Sequence, residues 1–202
     1  SVSGTLVKFD DRMNSMMIEF MQELMDTLNT LDIDAFECYH SLAWDRERVL
    51  DVVLENPNVE FWSAHAPYGL YCDPSSPIER AREGALAGDL DTIEVARRLG
   101  AEVVIVHPGI SAEYDTPRKT RIGWVADVLR QVADAAGECQ LRVAVEPLPK
   151  DEIGNTLDEV LDIIDRIDRP NVGVNIDVNH LFPPEAIPGM IRRAGSRILN
   201  VH

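Results

Sequence analysis

VVIVH (103–107) is a run of four β-branched residues closed by a histidine. A strand with one face in water alternates apolar and polar side chains. An unbroken apolar run of this length marks a strand covered on both faces, as in a parallel sheet. Working outward, the same pattern recurs with a polar residue at or just past its end. LRVAVE (141–146) ends in Glu146, and VGVNID (172–177) ends in Asp177 with His180 close behind. VEFWSAH (59–65) ends in His65, IDAFEC (33–38) carries Glu37, and RILNVH (197–202) ends in His202. GTLVKF (4–9) reads as a further strand ahead of these.

Helical spacing fills the intervals. Between Arg12 and Leu31, Met13, Met16, Met17, Phe20, Met21, Leu24, Met25 and Leu28 fall on one face, which predicts a core stripe in preference to a partner groove. WDRERVLDVVLEN (44–56) is a second helix. A third is punctuated by Ser76 as N-cap, Pro77 at the first helical position and Gly100 past the end. Thr116 and Pro117 open a fourth, which Gly137 closes; TLDEVLDIIDRI (156–167) is a fifth, and a short one spans 184–194.

Seven strands alternating with six helices through short loops predict a parallel α/β sheet. A doubly wound open sheet and a closed (β/α)8 barrel share that local pattern. The polar strand ends favour the barrel, whose strands converge their C-terminal ends on one rim where active sites lie. Glu37, His65, His107, Glu146, Asp177, His180 and His202 all obey this placement, and His40, just beyond Glu37, is expected at the same rim. Such a barrel takes roughly 250 residues and eight units. The expectation is therefore one (β/α)8 TIM barrel domain over residues 1–202, incomplete at its C-terminal end.

A formal charge of −16, with lysine only at positions 8, 119 and 150, opposes binding to duplex nucleic acid and points to a small-molecule partner. No apolar run approaches the ~20 residues of a membrane span, and SVSGTLVKFDD lacks the basic-then-apolar order of a secretory signal. Cys38, Cys72 and Cys139 are widely spaced and form no CxxC pair, so buried reduced thiols in a cytoplasmic protein are expected. A homo-oligomer is compatible with this reading. Hydrolysis from a nucleophile elbow, zincin proteolysis and nucleotide binding have no motif here.

Glu146, Asp177 and His202 offer two hard oxygen donors and one nitrogen. That set suits Mn²⁺, Mg²⁺ or Co²⁺ and tolerates Zn²⁺. His180, in an Asp-x-x-His loop, is placed to meet substrate hydroxyls or to support a ligand. Trp62, Tyr68, Tyr71 and Trp124 are read as packing residues in preference to a sugar-binding wall. PGISA (108–112) is a weak candidate for a phosphate contact.

WSAHAPYG (62–69), VVIVHPG (103–109), VAVEPLP (143–149), VGVNIDVNH (172–180) and ILNVH (198–202), in this order, resemble the xylose isomerase-like barrel superfamily. That group includes sugar phosphate isomerases and epimerases and endonuclease IV. The resemblance implies a metal held by Glu146, Asp177 and His202, with a fourth glutamate from an eighth strand beyond His202. It implies that Glu146 is the catalytic member of an acid–base pair working through an enediolate, and that His180 binds substrate. His107, His65 and Glu37 complete the expected substrate-binding set. The function implied is a metal-dependent sugar or sugar phosphate isomerase or epimerase. The alternative is a zinc-dependent abasic-site endonuclease, in which His65 and His107 are zinc ligands, or a non-catalytic metal-binding relative. The acidic charge and the short interval from Asp177 to His202 favour the sugar enzyme.

Overall fold

The computed structural model describes residues 10–110, 114–149 and 151–202. The strand expected at 4–9 lies outside them, as do Ser111 and Ala112 of the phosphate candidate. The described chain runs α1 (Asp11–Leu28), β1 (Phe36–Tyr39), α2 (Arg46–Leu54), β2 (Phe61–His65), α3 (Glu79–Leu99), β3 (Val103–Val106), α4 (Arg118–Glu138) and β4 (Arg142–Val145). It continues through α5 (Leu157–Ile167), β5 (Val172–Ile176), α6 (Ile187–Ala194) and β6 (Ile198–Val201).

The strands stand side by side in chain order, β1 to β6, and every pairing is parallel. A doubly wound sheet reverses its strand order at a switch point; this one never does. It also curls. Strands pack about 4.8 Å apart, so the outer members of a flat six-stranded sheet would stand roughly 24 Å apart. Here the Trp62 indole on β2 donates to Asn200 Oδ1 on β6 at 3.1 Å, and His202 behind β6 reaches Glu37 on β1 at 3.1 Å. The architecture is a TIM-type barrel, incomplete among the described residues.

Both faces of the sheet are covered, as the unbroken apolar runs require. On the outer face Val104, Val106, Val143, Val145, Val174 and Ile176 pack with buried residues of α4 and α5, including Val125, Leu129, Val132, Val160 and Ile163. On the inner face Val103, Ile105 and Ala144 form a second cluster with Leu199. Gly173 lies in this tight region: a Cβ there would sit 2.3 Å from the Arg197 carbonyl oxygen and 2.6 Å from Leu199 Cγ.

Helix ends follow local chemistry with some corrections. Asp10, Asp45 and Thr156 cap α1, α2 and α5, each accepting from a backbone N–H three residues on. Ser76 does not cap α3. Its hydroxyl accepts from the Ile78 amide at 3.1 Å, closing a turn ahead of a helix that begins at Glu79. Gly100 ends α3 in the left-handed conformation, φ 71°. Gly137 lies inside α4, and the left-handed position after it belongs to Gln140, φ 61°.

The methionine stripe of α1 is narrower than its spacing suggests. Met21 and Met25 are buried with Leu24 and Leu28 against them, whereas Met13, Met16 and Phe20 are exposed. A helix buries only a limited arc of its surface, and these three fall outside it. The three cysteines are free, and only Cys72 is fully buried; Cys38 and Cys139 are half-buried. No described helix is long and apolar enough to cross a membrane.

Candidate metal and substrate site

The inner cluster continues upward into polar groups. Side chains alternate along a strand, so residues two apart share a face. Val103 and Ile105 therefore lead to His107, Ala144 leads to Glu146, and Asn175 leads to Asp177. Each of these polar residues, with His202, follows directly on the last residue of its strand; His65 is the last residue of β2. Glu37 lies within β1, since that strand runs on to Tyr39.

Glu146 is the centre. It is 2 % exposed, and its Oε2 lies 3.1 Å from the Asn175 amide nitrogen, 3.4 Å from His202 Nδ1, 3.5 Å from His65 Nε2 and 3.7 Å from His107 Nε2. Its Oε1 lies 3.2 Å from His180 Nδ1, which also approaches Asp177 Oδ2 at 3.4 Å. Three donor groups each fall within 4.8 Å: Glu146 with Asp177 and His202, His65 with His107 and Glu146, and Glu37 with His65 and His202.

Burial opposes charge on Glu146, but His202 and His65 outweigh it and hold the carboxyl well below the usual carboxylate range. Burial, reinforced by His65, pushes His107 down to about 3, so this imidazole is neutral. Glu37 is held low despite burial by His202 and by the Ser63 hydroxyl, which donates to Oε2 at 2.5 Å. The carboxylates of Glu146 and Glu37 raise His202. Of its ring nitrogens, Nε2 is the one suited to a proton, because Nδ1 also faces the Asn175 amide nitrogen at 3.0 Å.

The donor chemistry fits a cation. A carbonyl only accepts, so His65 Nδ1, 3.0 Å from the Ala66 carbonyl oxygen, carries the proton. That leaves Nε2 as the ring atom facing Glu146. His107 Nδ1 is buried without a hydrogen-bond partner among the described residues. Separations of 3.4–3.7 Å between Glu146 and three imidazoles are long for hydrogen bonds. Those to His202 and His65 fall within the roughly 3–3.5 Å spacing of ligand atoms around an ion bound at about 2.1 Å, and that to His107 lies just beyond it.

Other residues fall elsewhere. His40 does not face the rim: it is buried between β1 and α3, with Nδ1 2.8 Å from Thr92 Oγ1 and Nε2 3.2 Å from Asp91. Of the four aromatic candidates only Tyr68 reaches the cluster, its ring 4.4 Å from that of His107. Trp124 lies under Arg82 in the helical layer, Tyr71 is exposed, and Trp62 bonds Asn200 deeper in the barrel. Tyr39, Ser63 and Asn175 border the site without having been read from the sequence. Asn175 and Ser63 stand two residues before Asp177 and His65, and that inward-facing period was the signal available.

Residues 21–202 match the family model of the xylose isomerase-like TIM barrel, and the chain belongs to that family. It is 27% identical over 150 residues to an uncharacterized protein of Methanocaldococcus jannaschii, covering 68% of this chain and 49% of that one. It is 33% identical over 129 residues to the xylose isomerase of Thermus thermophilus, covering 55% of this chain and 33% of the enzyme. The chain thus spans about half and about a third of the lengths of these two relatives. Among solved structures, a D-tagatose 3-epimerase-like protein superposes with a TM-score of 0.75 at 24% identity, covering 88% of this chain and 70% of that one. The D-allulose 3-epimerase of Methylomonas sp. gives 0.80 at 19% identity, covering 92% and 66%. These likenesses establish the fold.

Proposed function

We propose that this protein is a metal-dependent sugar or sugar phosphate isomerase or epimerase. The observation that carries the reading is the buried Glu146 carboxylate, which falls within 4.8 Å of Asp177 and His202 in one group of possible metal donors and of His65 and His107 in another. The epimerase and isomerase names among its relatives support the same chemistry. Glu146, Asp177 and His202 would hold a divalent ion, Mn²⁺, Mg²⁺ or Co²⁺ by donor type, with Zn²⁺ tolerated. When bound, the ion supplies Lewis-acid polarisation of a substrate carbonyl.

The chain's own residues do the rest. Glu146 is ionised at neutral pH and accepts the proton from the carbon beside the carbonyl, giving an enediolate of the substrate. Return of that proton by Glu146 to the neighbouring carbon gives isomerisation; epimerisation needs a second acid to deliver a proton on the opposite face while Glu146 keeps the first. His180, whose Nδ1 donates to the Pro147 carbonyl at 2.9 Å, presents Nε2 to substrate hydroxyls. His65, His107 and Tyr68 form a wall against the sugar, and Glu37 borders it.

The test is metal content by mass spectrometry together with solvent deuterium exchange into a panel of ketoses. About one Mn, Co or Mg per chain, lost in Asp177→Asn, with exchange abolished in Glu146→Gln, is the expected result. Two or three zinc ions without exchange would turn the reading to an abasic-site endonuclease, which the His65–His107–Glu146 grouping supports. One bound ion without exchange in any ketose would leave a non-catalytic metal-binding protein. No bound ion under replete conditions would overturn the proposal.

A further inference from the structure

An amide side chain has an oxygen and a nitrogen of nearly the same shape, so its direction is set by its partners. Beneath the site two amides stand in series. The Trp62 indole can only donate, and it lies 3.1 Å from Asn200 Oδ1. Asn200 therefore turns its nitrogen toward Asn175, which answers with Oδ1 at 3.2 Å. The Asn175 nitrogen is left facing upward, with one hydrogen for Glu146 Oε2 at 3.1 Å and one for His202 Nδ1 at 3.0 Å. Asn175 is fully buried, with a relative exposure of 0 %. Burial makes an unmatched Asn175 amide costly and holds its direction, whereas Asn200 is half-buried and the Trp62 bond is exposed.

We infer that Asn175, oriented through Asn200 by the donor-only indole of Trp62, is a positioning residue that sets Glu146 Oε2 and His202 Nδ1 side by side on one amide nitrogen, from which a cation would take over the Nδ1 lone pair. With Nδ1 accepting from the amide, the ring proton belongs on Nε2. There it meets Glu37 Oε2 at 3.1 Å, and Glu37 is itself held by Ser63. The imidazole is thus fixed from both sides. A ring so fixed turns Nδ1 toward the side of Glu146, where a cation would displace the amide hydrogen from its lone pair. This inference rests on the metal-binding reading for its purpose, but the hydrogen-bond chain can be tested without metal.

Trp62→Phe keeps the ring against β6 and removes only the donor; Asn175→Ala removes the bridge itself. In the chelator-treated chain, long-range ¹H–¹⁵N spectra of the His202 ring are expected to place its two nitrogens in unlike environments, set by Asn175 at Nδ1 and Glu37 at Nε2. Both ring signals should move in each variant. Calorimetric titration with Mn²⁺ alone should show affinity reduced about 10–100-fold in Asn175→Ala and about fivefold in Trp62→Phe, the effect of one lost neutral hydrogen bond. Thermal melts establish that each variant is folded, and if Asn175→Ala is not, Trp62→Phe carries the test. A folded Trp62→Phe with wild-type His202 signals and wild-type affinity overturns the inference and reduces Trp62 to a packing residue. Ring signals that respond in a wild-type background that binds no Mn²⁺ would uphold the chain of bonds and sink the metal reading instead.

Discussion

Nε2 of His202 lies 3.1 Å from Oε2 of Glu37, although the two residues are 165 positions apart, one just past the last strand of the described sheet and the other within the first. The contact exists only because the sheet curls. It closes the mouth of the barrel from the side opposite β3 and β4, and it brings a second carboxylate to the imidazole that Glu146 also faces.

Because the sheet curls, Glu37 and His202 are expected to be energetically coupled. Both side chains are about three-quarters buried, with relative exposures of 29% and 24%. A double-mutant cycle with Glu37→Gln and His202→Gln, read by urea unfolding, should give a coupling of about 1 kcal/mol. A coupling indistinguishable from zero would mean that the two edges do not meet.

Divalent metal should stabilise the fold by mass action. At a free concentration a hundred times its Kd, Mn²⁺ would add about 2.7 kcal/mol, and a chelator would remove it. Asp177→Asn should lose most of that gain in a thermal melt. An equal gain in the variant would place the binding site elsewhere.

Asp89, on α3, gives a prediction outside the site. It is buried, and burial raises its pKa well above the ordinary value of 3.8. A raised folded pKa means that the native carboxyl keeps a proton which the unfolded chain releases above 3.8. Its contribution is therefore intact at low pH and is lost as pH rises. Asp89→Asn, a neutral isostere, should raise the melting temperature at pH 7 by a few degrees (~2–4 °C per kcal/mol for a chain of this size). Near pH 3.5 the difference should vanish. A variant less stable than the parent at pH 7 would contradict the neutral native carboxyl.

Gly173 tests the inner packing. A methyl group there meets the Arg197 carbonyl and Leu199 at under 3 Å. Gly173→Ala should destabilise the chain by about 1–3 kcal/mol, the usual cost of overpacking. Calorimetric unfolding measures it, and a change within error would show that β5 and β6 separate easily.

Much of this was legible in the sequence. The runs ending at Val106, Val145 and Ile176 declared strands covered on both faces, and the polar residue after each declared a rim. The error in the third helix start was local: Ser76 has the right chemistry for a cap, but its hydroxyl satisfies a turn two residues earlier. His40 was misplaced because position along a strand does not tell which way the following loop turns. Asn175 was passed over because an asparagine inside an apolar run carries no sign of its own, although its spacing from Asp177 placed it on the inner face.

The sequence by itself determined the parallel strands, the helices between them and the residues that end each strand, because these depend on periodicity and on neighbours in the chain. Tertiary structure decided the unreversed strand order, the curl that joins Glu37 to His202, and the direction of the amides from Trp62 to Glu146. Those depend on which groups meet across the barrel. A hydrogen bond between β2 and β6 follows from the curvature of the sheet, and no local pattern encodes it.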